Sequence, residues 1–147
     1  MRILGIDHVQ VVGPPGSEPE ARAFYGDLLG LEELPRPKSL PDPDGCWFRA
    51  GAQQLHVGVV EDFQEAPKAH PSFLVDDLDG MVAKLEAAGT KATLDSHSIP
   101  GVPRAFLCDP FGNRLELRQA DPWLQAALPA DVPGARTEGS NPSPSAF

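Results

Sequence analysis

The chain carries one short pattern twice, and a duplication restricts the possible fold more than any single motif. In the first copy His8 lies in the apolar run Ile6-Asp7-His8-Val9-Gln10-Val11, and His56 in Gln54-Leu55-His56-Val57-Gly58-Val59. In the second copy His70 opens His70-Pro71-Ser72-Phe73-Leu74-Val75, and Glu116 lies in Arg114-Leu115-Glu116-Leu117. The two marked positions are 48 residues apart in the first copy and 46 in the second. Three imidazoles and one carboxylate at matching points of a repeat are what a divalent metal site on a pseudo-twofold axis needs.

The elements between these positions also repeat. Residues 3–12 are rich in Val and Ile and read as a strand. Ser17 stands three residues before Glu20, a capping-box pattern with Pro19 in the first turn. Ala21, Phe24, Tyr25, Leu28 and Leu29 then fall on one helical face, and Gly30 sits where a helix-ending glycine belongs. After a proline-rich stretch, residues 46–50 and 53–60 form a hairpin around Gly51-Ala52. In the second copy a strand over 72–75 leads to a helix capped by Asp77, with Leu78, Met81, Val82 and Leu85 on its apolar face and Gly89 at its end. Strands over 90–94, 105–108 and 114–119 follow, the last two joined by Asp109-Pro110-Phe111-Gly112-Asn113.

Each copy is therefore strand, helix and three strands. A lone βαβββ unit leaves its sheet edges open. Two together make an α+β fold, a curved eight-stranded mixed sheet around a cleft with helices outside. Period-two alternation sends Leu55, Val57, Leu115 and Leu117 toward the helices, and it turns His8, His56, His70 and Glu116 inward to the cleft.

A chain of 147 residues with 41% hydrophobic and 22% charged residues suits one folded domain. We place that domain at 1–128, with modules 3–60 and 68–119. Residues 129–147, broken by Pro129, Pro133, Pro142 and Pro144, are expected to be a disordered tail. The net charge is −9 and no basic stripe interrupts it, which argues against a nucleic-acid partner. No apolar run reaches membrane-spanning length and the N-terminus lacks a signal pattern, so a cytoplasmic protein without a membrane partner is expected. Cys46 and Cys108 read as buried free thiols.

Four stretches in this order resemble the vicinal oxygen chelate superfamily of glyoxalases, bleomycin-resistance proteins and extradiol dioxygenases. They are Asp7-His8-Val9-Gln10-Val11, Phe24-Tyr25-Gly26-Asp27-Leu28-Leu29-Gly30-Leu31, His70 through Leu78, and Asp109 through Leu117. The resemblance covers roughly residues 3–119. It implies that His8, His56, His70 and Glu116 are the metal ligands. His56 departs from the pattern, since glyoxalase I has glutamate in that slot and methylmalonyl-CoA epimerase glutamine. His56 either ligates or stands beside the metal as an acid or base, and Glu116 is the second catalytic candidate. The resemblance also implies a homodimer, in some members with modules exchanged between chains.

Such a donor set suits Zn, Fe, Ni, Co or Mn. An octahedral cation with four protein ligands keeps two positions for a small-molecule substrate that chelates through vicinal oxygens. The expected activity is a metal-dependent glyoxalase-like lyase or isomerase. The alternatives are an Fe(II) extradiol-type dioxygenase and a non-catalytic drug- or metabolite-binding protein. Arg114 and Arg118 either hold an anionic end of the substrate or balance the charge of Glu116, the second being preferred, and His97 is read as a solvated loop residue.

Overall fold

A computed structural model describes residues 1–123 of the chain, and the structural statements below concern those residues. The elements in order are β1 (His8–Gly13), α1 (Glu18–Ala21) running on into a π-wound segment (Arg22–Leu28), β2 (Glu32–Leu34), β3 (Cys46–Ala50), β4 (Gln53–Val59), β5 (Ser72–Val75), α2 (Leu78–Ala87), β6 (Thr93–Asp95), β7 (Arg104–Cys108) and β8 (Arg114–Gln119). The eight strands form two four-stranded sheets, ordered β1-β4-β3-β2 and β5-β8-β7-β6. In each sheet the first and last strands of the module pair in parallel, and the other neighbours are antiparallel. Adding four to each strand number of the first sheet reproduces the second. The fold is α+β with two βαβββ modules, and β1 and β5 are edge strands.

Several local expectations shift for identifiable reasons. The first strand begins at His8, because the ladder to β4 ends where Gln54 N donates to Asp7 O (3.1 Å) and the hairpin turn then carries β4's chain away. Ile3, Leu4 and Ile6 are left 93%, 86% and 68% exposed. Ser17 precedes the first helix but makes no side-chain cap bond, and its buried Oγ has no partner among the described residues. That helix widens past Ala21, with Leu29 N reaching back five residues to Phe24 O (2.9 Å). The wider turn accompanies the burial of the adjacent rings of Phe24 and Tyr25. Gly30 then ends it at φ 77°.

The second helix follows the sequence closely: the Asp77 carboxylate accepts from Gly80 N (2.9 Å). β6 starts later than expected because Thr90 N is tied to Leu85 O (2.9 Å), which closes the helix end.

One continuous core joins the modules, with Phe48, Leu55 and Val57 from the first sheet and Leu107, Leu115 and Leu117 from the second. A polar clasp crosses the same boundary. The Asp109 carboxylate accepts from Tyr25 OH (2.7 Å), Phe111 N (2.9 Å), Asn113 N (2.8 Å) and Asn113 Nδ2 (2.8 Å). Asn113 Nδ2 also donates to Val12 O (2.7 Å), so the turn between β7 and β8 is fastened to β1. Burial, reinforced by the Asp109 charge, pushes the Tyr25 hydroxyl pKa far up, which keeps it a donor.

Both cysteines are free; Cys46 is buried as expected, but Cys108 is exposed because it ends β7 on the cleft-facing side. No helix among the described residues is long and apolar enough to cross a membrane. The tail expected at 129–147 lies outside the described residues.

Candidate metal centre

In the first module three adjacent strands line up three rings. The hairpin register sets Trp47 on β3 opposite His56 on β4, and His8 enters from β1. Trp47 stacks flat on His56 (centroids 4.1 Å, 3° between planes), and His8 stacks on His56 as well (4.2 Å, 14°). His56 is 6% exposed. Its Nε2 lies 2.9 Å from Gln54 Oε1, and His8 Nδ1 lies 2.8 Å from Asp7 Oδ2. Burial first, and then the neighbouring His8, push the His56 pKa down, so the neutral imidazole is favoured. A cavity of about 480 Å³ opens over these rings, walled by Leu40, Pro41 and Arg36.

The second module builds a charged counterpart. His70 stands just before β5, where Pro71 O accepts from Glu116 N (3.0 Å) and draws β8 alongside. His70 Nδ1 lies 2.9 Å from Lys68 O, and His70 Nε2 lies 3.1 Å from Glu116 Oε2. A carbonyl oxygen only accepts, so Nδ1 carries the hydrogen. In the neutral ring Nε2 would then set a lone pair against a carboxylate oxygen, so a proton or a cation belongs between them. Two donors each about 2.1 Å from one metal and at right angles to each other would be about 3 Å apart. The His70–Glu116 pair fits a shared cation, and the Lys68 carbonyl is the kind of outer partner that orients a ligating imidazole.

Glu116 is nearly buried, and its other oxygen, Oε1, faces Arg104 Nη1 at 3.6 Å. Arg104 is anchored in turn by Asp95 Oδ2 through Nε (3.1 Å) and Nη2 (2.9 Å). Ser98, and then His97, donate to Asp95 and hold its carboxyl well below the usual carboxylate range. Phe106, opposite Glu116 in the β7–β8 register, meets the His70 ring edge-on at 5.6 Å and lies beneath the guanidinium groups of Arg104 (4.9 Å) and Arg114 (4.3 Å).

The four sequence candidates therefore come together as two pairs, His8 with His56 and His70 with Glu116. Among the described residues no group of three or more potential metal-donor side chains gathers. The donor types fit a borderline divalent cation. The first pair in its present rotamers does not, because near-parallel rings aim their lone pairs side by side rather than at one point. One ring must turn out of the stack for the two to share a cation.

Three neighbours escaped the sequence reading. Arg104, not Arg114 or Arg118, faces Glu116 as its counter-charge, because β7 begins at 104, one residue before the strand expected from the sequence. Asp95, its anchor, is the last residue of β6, one past the end expected for that strand at 94. Trp47 was legible, since a hairpin turning at Gly51-Ala52 already places it across from His56. His97 is exposed in the loop after β6, and only its backbone N–H is used near the site.

The glyoxalase-like domain family matches residues 16–118. A glyoxalase family protein from Bacillus anthracis is 46% identical over 82% of this chain and 100% of its own, with a TM-score of 0.77. Lactoylglutathione lyase from Agrobacterium tumefaciens shares the fold at 22% identity, covering 81% of this chain and 96% of its own (TM-score 0.63). A fosfomycin resistance protein from Listeria monocytogenes does so at 14% identity, covering 83% and 98% (TM-score 0.66). No curated protein matches the chain. With the repeated modules, these likenesses establish that the chain belongs to the glyoxalase-like domain family of the vicinal oxygen chelate superfamily.

Proposed function

We propose that the protein is a metal-dependent lyase or isomerase of glyoxalase type, acting on a small substrate that presents two vicinal oxygens. We further propose that His8 and His56 of one copy and His70 and Glu116 of a second copy hold the cation in a homodimer. The observation that carries the reading is the His70 Nε2–Glu116 Oε2 approach at 3.1 Å, with the far side of the imidazole committed to a carbonyl. The division of the donors into two pairs supports the second copy, as do the edge positions of β1 and β5, where Val9 and Leu74 are 37% and 57% exposed. A cytoplasmic location belongs to the same proposal.

A bound divalent cation would polarise the substrate oxygens and stabilise the negative charge that develops on them. The chain's own residues supply the rest. Trp47 holds the His56 ring flat, and burial keeps it neutral, the form that either ligates or accepts a proton. Gln54 fixes the direction of its Nε2. Glu116 is the second group able to take up a proton beside the substrate. Leu40, Pro41 and Trp47 line the cavity that opens beside the rings of His8 and His56.

Elemental analysis of the purified protein beside a His70→Ala/Glu116→Ala double variant tests the site. Metal is expected in the first and lost in the second; equal content in both preparations ends the reading. Co-expressing that variant with a His8→Ala/His56→Ala variant tests the sharing. Mixed dimers keep one intact site, so metal returns to the mixture although neither variant alone retains it. No return would overturn the shared site. Catechol-dependent oxygen uptake separates the dioxygenase alternative, and none is expected.

A further inference from the structure

We infer that Arg104 is a positioning residue, whose guanidinium turns the Glu116 carboxylate so that Oε2 faces His70 while Oε1 is held on the other side. The geometry divides the carboxylate cleanly, with His70 Nε2 3.1 Å from one oxygen and Arg104 Nη1 3.6 Å from the other. Glu116 is 7% exposed, so little water is available to orient it or to balance its charge. The guanidinium is itself fixed, since Asp95 takes two of its N–H groups and the aromatic face of Phe106 lies 4.9 Å below it. Asp95 is fastened to the chain by the backbone N–H groups of His97 and Ser98. An unbroken series of contacts thus runs from the loop after β6 to the carboxylate.

The internal repeat supplies a control. Trp47 and Phe106 occupy equivalent places, each opposite the candidate ligand of its module's last strand. Arg104 stands two residues before Phe106, and the residue two before Trp47 is Gly45. The module whose ligand slot holds an imidazole has no side chain at this place; the module whose slot holds a carboxylate has an arginine. A neutral ring held by stacking needs no counter-charge, whereas a freely rotating buried carboxylate needs one to select an orientation.

The test has one arm that does not depend on metal and one that rests on the function proposed above. In metal-free protein, the imidazole ¹⁵N resonances of His70 are compared among wild type, Arg104→Met, Arg104→Lys and Asp95→Asn. Loss of the guanidinium should move the Nε2 resonance and leave Nδ1, held by Lys68, in place. Arg104→Lys should restore part of the wild-type position. Asp95→Asn should move Nε2 in the same direction by less, and it serves as the folded reporter if Arg104→Met fails to fold. An Nε2 resonance unmoved in every folded variant overturns the inference. In the second arm, Zn²⁺ titration should show binding weakened about 10- to 100-fold in Arg104→Met, with Arg104→Lys intermediate. Equal Zn²⁺ affinity across the series would overturn the role toward the metal. A wild type that takes up no Zn²⁺, Fe²⁺, Ni²⁺, Co²⁺ or Mn²⁺ while Nε2 still shifts as expected would remove the proposed function and leave the placement of Glu116 by Arg104 standing.

Discussion

The two modules hold their candidate ligands at equivalent points and support them with opposite physics. In each, the donor at the start stands two residues before the residue that pairs with the donor on the last strand: His8 before Gln10, which faces His56, and His70 before Ser72, which faces Glu116. An aromatic side chain lies across from each last-strand donor, Trp47 in one and Phe106 in the other. In the first module both partners are rings, so the donors stack and burial dominates. A carboxylate has no face to stack on. The second module therefore turns Phe106 toward the His70 edge and two guanidinium groups, and Arg104 supplies charge. A duplicated backbone keeps positions in register, while the chemistry of one substituted donor dictates which neighbours it can tolerate.

The sharpest way to break this comparison is to cut the clasp that makes the modules one body. Asp109→Ala removes the acceptor of Tyr25 OH, Phe111 N and Asn113 N and leaves the Asn113 side-chain amide only Val12 O, and a loss of about 3 kcal/mol is expected in urea unfolding. Both modules should lose stability in a single transition; two separate transitions would mean that the halves are independent bodies.

A smaller effect separates the two supports. Trp47→Ala should cost about 1 kcal/mol beyond the area it covers. It should also alter the pH response of metal-free protein. Because burial lowers the His56 pKa from its ordinary value of 6.5, stability is complete above that pH and falls as pH drops from there through the folded-state value. Opening the ring to water in Trp47→Ala should flatten that fall, as read from thermal unfolding between about pH 7 and pH 5. An unchanged slope would mean that stacking does not govern His56.

The least disruptive comparison uses the thiols on the equivalent strands β3 and β7. Cys46 is buried, and that burial pushes its pKa up, while Cys108 is exposed. Iodoacetamide at pH 8 should modify Cys108 alone in native protein and both residues in urea. Native labelling of Cys46 would show that the first module opens more readily than its packing implies.

Much of the architecture was readable in advance because it rests on local rules. The Asp77 cap, Gly30 and Gly89 at helix ends, and the Gly51-Ala52 hairpin are each specified within a few residues. Side-chain alternation along β4 and β8 followed from the pleat alone. Strand ends were less readable, because they depend on how long a partner keeps pairing. Residues 3–7 are as apolar as a strand, yet β4 offers them no partner past Asp7. The same blindness hid Arg104, which lies diagonally across the β7–β8 ladder from Glu116, and Asp95, which pairs with Arg104 from β6.

The amino-acid order by itself determined the duplication and the βαβββ unit, because periodicity and turn chemistry act over short stretches of chain, and it marked four candidate donors at matching points of the repeat. Which of these candidates meet was decided only by tertiary structure. Strand register and the packing between sheets depend on pairings tens of residues apart, and these brought His8 to His56 and His70 to Glu116 while keeping the two pairs separate among the described residues of one chain.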